Sequence, residues 1–172
     1  LPGALAAAAL GLALPALATA DPGGCALLWQ VQPQLQASPA HLLVRLRFNG
    51  GDRQRSLLHL PGGWAEHQPA DERTAAGLQA VPGQPAWRSV THAPGDSVQL
   101  QWRVVPGQDV ARGGHVQLGT RWLAFTGGGV LPLPDGMDNT AAAPACIALD
   151  GLDVGSRWVT SHGLAEGGNA LF

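Results

Sequence analysis

Ser97-Val-Gln-Leu-Gln-Trp-Arg-Val-Val105 alternates apolar and polar side chains without a slip: Val98, Leu100, Trp102 and Val104 fall on one face, Gln99, Gln101 and Arg103 on the other. A period of two belongs to a strand with one buried face, because successive side chains on an extended backbone point to opposite sides. Ala93-Pro94-Gly95-Asp96 just before it supplies a turn. Upstream, His41 to Phe48 repeats the pattern, with Leu42, Val44, Leu46 and Phe48 inward and Arg45 and Arg47 outward, and Asn49-Gly50-Gly51-Asp52 marks the next turn. Trp29 to Gln36 sets Trp29, Val31 and Leu35 against four glutamines. Pro33 removes a backbone donor there, so this strand is expected at a sheet edge or with a bulge.

Further strands are predicted over 55–60, 121–125, 130–133, 145–149 and 157–161, separated by Gly- and Pro-containing turns. A short helix is predicted only over 69–78, where Asp71 or Glu72 favours a start. Short strands at this spacing predict an all-β domain, an antiparallel β-sandwich, with Trp29 and Trp102 in its core.

Leu1 to Ala20 is apolar, carries no charge and closes on Ala18-Thr19-Ala20, as a signal peptide does before its cleavage site. The basic leader of such a segment is missing, so the sequence is expected to begin inside it. The division is then a signal peptide at 1–20 and one β-sandwich domain at 21–172, periplasmic or secreted, with no membrane attachment after cleavage. Ten basic residues, all Arg, against 12 acidic ones leave nothing to hold a phosphate backbone, so nucleic acid is not an expected partner. In an oxidising compartment, Cys25 and Cys146 are expected to form a disulfide.

Candidate chemistry is sparse. The six histidines, His41, His59, His67, His92, His115 and His162, show no metal-ligand spacing and are expected at the surface or at sheet edges. His162 with Glu166, and the acids at Asp71-Glu72 and Asp135-x-x-Asp138, fall in polar turns and loops. The Asp135 to Asn139 segment lacks the ligand spacing of a calcium loop. Gly127-Gly128-Gly129 is read as a bend where strands cross closely, since Pro132 and Pro134 leave no helix to aim amides at a phosphate. No Gly-x-Ser-x-Gly occurs. No catalytic residue, metal ligand or cofactor is therefore assigned within this chain. Of six tryptophans, Trp64, Trp87 and Trp122 are least constrained by neighbours and are the candidate ligand-face aromatics of a carbohydrate- or peptide-binding module.

Taken in order, several segments resemble the N-terminal domain of the glycyl-aminopeptidase family of secreted zinc metallopeptidases. They are HLLVRLRF at 41–48, LHLPGGW at 58–64, DSVQLQWRVV at 96–105, WLAFTGGGVLPLPDG at 122–136 and CIALDGLDVGSRWVTS at 146–161. Each is a loose, sheet-like match, and their order carries more weight than any one. Two departures stand out: Ala65-Glu66-His67-Gln68 replaces the Pro-Gly-Ser-Tyr usual after the tryptophan, and the loops before Trp122 are short. The resemblance implies that zinc and all catalytic residues belong to a thermolysin-like domain of the same polypeptide that would follow this one. It also implies that the sequence is a front piece whose partner is that catalytic domain, against which it packs to shape the substrate cleft.

Overall fold

The computed structural model describes residues 24–107, 115–136, 144–151, 156–161, 163–166 and 170–171. The segment expected to be a signal peptide lies outside them. The described chain is all-β. Its largest sheet has six strands in the order β14-β11-β1-β2-β7-β4, formed by Ala170–Leu171, Ala145–Leu149, Leu27–Gln34, His41–Asn49, Ser97–Val104 and His67–Pro69. A second sheet runs β10-β3-β6-β5, from Leu133–Pro134, Arg55–His59, Gln84–Thr91 and Leu78–Val81. Two hairpins complete it: β8 (Val116–Leu118) with β9 (Leu123–Phe125), and β12 (Arg157–Thr160) with β13 (Gly163–Glu166).

The inner faces follow the alternation read from the sequence. Leu42, Val44, Leu46 and Phe48 of β2 and Val98, Leu100, Trp102 and Val104 of β7 are all buried. They face each other in register, Leu42 opposite Val104 and Phe48 opposite Val98, and meet Leu58, Leu60 and Val90 of the second sheet in one core. Trp29 and Trp102 lie in that core, as expected.

The strand expected at an edge is central instead. β1 pairs with β2 along its whole length and with β11, in parallel, only from Leu27 to Val31. Pro33 lies past the end of β11, on the stretch of β1 with one neighbour, so its missing N–H breaks no ladder. Cys25 and Cys146 form the expected disulfide across 121 residues of sequence. It staples the start of β1 to β11, where Ala26 N–H also donates to the Pro144 carbonyl at 3.0 Å. In the chain-entropy picture, closing so long a loop is worth about 4–5 kcal/mol at most.

The strand expected over 130–133 is displaced. Gly127–Val130 closes into one helical turn, α2, with Leu131 N–H on the Gly127 carbonyl at 2.8 Å; Pro132 then ends it and β10 is only two residues long. The short helix α1 spans Glu72–Gly77, capped by Asp71, whose carboxylate accepts from Thr74 N–H at 2.7 Å.

Candidate functional site

Most of the polar side chains singled out above are engaged in holding the fold. His67 is buried on β4, its Nε2–H on the Val130 carbonyl at 3.1 Å, while Nδ1 is buried without a partner. Burial lowers its pKa to about 4; the Val130 carbonyl opposes this and His115 adds to it. It is an edge histidine that has become a core one. His115 packs its ring against Gly129 and Gly62: a Cβ at Gly129 would collide with the His115 ring, and one at Gly62 would come within 2.5 Å of its Nε2. That close approach requires glycine at 129, and the glycine run lies inside a helical turn rather than a simple bend. His92 Nδ1 donates to the Ala93 carbonyl at 3.0 Å, leaving Nε2 to accept from the Ser56 hydroxyl at 2.9 Å. His59 stacks on Trp87 with ring centroids 4.5 Å apart.

The three candidate aromatics are not brought together as one platform by these contacts. Trp64 is buried, donates to the Ala86 carbonyl at 2.9 Å and carries the Arg88 guanidinium 5.2 Å from its ring. Trp87 is half-buried with one face covered by His59. Trp122, at the tip of the β8–β9 hairpin, is 55 % exposed. A Cβ on Gly119 would collide with its indole, so the ring rests on glycine backbone. Of the acids, Asp71 caps α1 and Asp135 extends the pairing of β10 with β3, its N–H on the Leu57 carbonyl at 2.8 Å; Asp138 and His162 lie outside the described residues. Among the described residues no three His, Cys, Asp or Glu side chains gather as metal ligands would.

A site that the sequence reading missed lies along β7. On one side β7 pairs with β2 throughout; on the other, β4 covers only Trp102 to Val104. The chain then covers one more residue: Ala70 N–H donates to the Gln101 carbonyl at 2.8 Å, and Gln101 N–H donates to the buried Thr74 hydroxyl at 2.9 Å. Beyond Gln101 no described residue continues the cover. Because backbone groups alternate sides along a strand, the N–H and C=O of Gln99 point the same way as those of Gln101, onto the free edge. A cleft of about 110 Å³ opens there between β7, the end of β6 and α1. Val90, Val98 and Leu100 make it apolar within, and Arg73 and Asp96 bring opposite charges to its lining.

No family model, curated protein or solved structure matches this chain. Among the described residues, the cleft along β7 and the Trp122 hairpin are candidate recognition features.

Proposed function

We propose that this chain is the non-catalytic N-terminal β-domain of an exported aminopeptidase-like zinc metallopeptidase, periplasmic or secreted. It packs against the catalytic domain of the same polypeptide and forms one wall of the substrate cleft. The observation that carries this reading is where the resembling segments fall. HLLVRLRF is β2, LHLPGGW runs from the end of β3 to the buried Trp64, and DSVQLQWRVV is β7 with the residue on either side. WLAFTGGGVLPLPDG spans β9, α2 and β10, and the last segment covers most of β11 and all of β12. In chain order the resembling segments fall on strands of both sheets and of the two hairpins, the kind of placement a domain-level relationship would leave. The disulfide supports export, since such bonds persist in oxidising compartments.

Reading the gene past the codon for Phe172 tests it. The expected result is an in-frame His-Glu-x-x-His followed by a more distal Glu. A stop codon within a few residues would remove the proposal.

A second reading, a stand-alone exported binding module, is favoured by the uncovered edge of β7 for a peptide. For a glycan, the burial of Trp64 and the half-covered face of Trp87 leave Trp122 as the exposed indole among the three candidates.

A further inference from the structure

We propose that the free edge of β7 at Gln99 binds a short zwitterionic peptide, optimally three residues long, as an added parallel strand. An uncovered strand edge offers N–H and C=O groups at strand spacing, the feature by which sheets recruit extended peptides. Gln99 presents one of each on that edge, and its side chain is exposed. The neighbouring position, Gln101, shows what such groups require: both of its backbone groups have been satisfied by Ala70 and Thr74.

The charges then choose the ligand and its direction. Asp96 lies just before the first residue of β7, and its Oδ2 accepts from Ala93 N–H at 3.0 Å, which fixes the carboxylate in the turn. Arg73 lies on α1 one residue before Thr74, whose hydroxyl binds Gln101 at the other end of the cleft. A ligand with its ammonium at Asp96 and its carboxylate at Arg73 runs parallel to β7. The reverse direction would set like charges together at both ends.

In a parallel pair, one residue bonds to the two residues flanking its partner. Gln99 N–H would therefore donate to the carbonyl of the first ligand residue, and the third residue's N–H would donate to the Gln99 carbonyl. A strand rises about 3.4 Å per residue, so three residues span about 10 Å, the rise of the chain from Asp96 to Gln99. The ligand's central side chain, opposite Gln99, points to solvent, while the first and third share the face of Val98 and Leu100, where the small enclosed volume suits compact side chains. This inference does not rest on the metallopeptidase reading, and it holds equally for a free-standing module.

The test is titration of the isotope-labelled, disulfide-bonded protein with trialanine, followed by amide NMR shifts. The expected result is saturable movement at Ser97 to Gln101 and Gly77. N-acetyl-trialanine amide, which keeps the main chain and loses both charges, should bind about tenfold more weakly or worse, and Arg73→Gln and Asp96→Asn should each cost a similar factor. Gln99→Pro removes the edge N–H without touching β2, a substitution that sheet edges tolerate, and should abolish the response. Gly77→Leu offers an independent block. A Cβ there stands 3.8 Å from the Val90 side chain, so the added chain can enter the cleft without clashing at its root. No movement at concentrations of about 50 mM would overturn the proposal, as would wild-type binding by either folded blocking variant or equal binding of the uncharged peptide.

Discussion

The β11–β1–β2–β7 layer and the segment that covers it, from Trp64 to His67 and from His115 to Pro134, both send side chains into the core, yet they are held in different ways. In the layer, aliphatic side chains alternate in register across three strands, and many small contacts share the load. In the cover, and where the layer meets it, buried polar rings each depend on one backbone carbonyl. Trp29 donates to Pro132 at 2.9 Å, His67 to Val130 at 3.1 Å, and Trp64 reaches Ala86. The layer is specified by a pattern and tolerates changes that preserve it. The cover is specified by individual hydrogen bonds and close glycine contacts, and it answers to pH.

The largest expected effect separates core from surface indole. Trp102 has no exposed surface and Trp122 is 55 % exposed. Trp102→Ala should cost about 4 kcal/mol, while Trp122→Ala should stay within about 0.5 kcal/mol. Urea unfolding followed by circular dichroism measures both. Similar losses for the two would erase the distinction between them. Next in size is the staple: Cys25→Ser with Cys146→Ser should lower stability by about 3 kcal/mol, with β1 and β11 protected less from hydrogen exchange than β2 and β7.

How much of this was legible in the sequence follows the same division. β2, β7 and β11 stand out by period or by apolar run, and the structure places them within a residue of the predicted bounds. The disulfide could be read from compartment and parity. β4, β5 and β6 could not. His67–Pro69 is too short to show a period, Leu78–Val81 continues an Ala-rich helical stretch, and Gln84–Thr91 opens on a proline, so their strand character comes from the neighbours they pair with. Pro33 was visible but ambiguous, because nothing local says where β11 stops. His67 gave no signal of burial, since its environment is built by α2 from more than 60 residues away. The cleft at Gln99 was hidden for a related reason. A free edge is a property of the strand that fails to cover it.

The titration of His67 tests the cover directly. Its pKa is about 4 in the fold against an ordinary 6.5. Between those values the unfolded chain takes up a proton that the folded chain refuses. Stability is therefore fully present above about pH 6.5, declines as the pH falls, and levels off below about pH 4 with a loss of about 3 kcal/mol from this residue. His67→Gln keeps a donor for the Val130 carbonyl and should flatten that part of the stability profile. An unchanged slope would show that the acid response belongs to other groups.

The smallest effect lies in the layer and has the opposite sign. Asp150 follows β11, with Oδ1 buried and unpartnered. Burial raises its pKa above the ordinary 3.8, and Arg45 opposes the shift. A raised carboxyl pKa means that the fold favours the neutral form. That contribution is complete below the unfolded pKa and is lost as the pH rises through the folded one. Once ionised, that carboxyl is a charge the layer would be steadier without. Asp150→Asn keeps the shape and removes the charge, so it should stabilise slightly at pH 7 and confer nothing below about pH 4. Paired thermal melts at the two pH values read the sign. Destabilisation by Asn at pH 7 would mean that the Arg45 attraction outweighs the burial, and that this layer too depends on a particular polar contact.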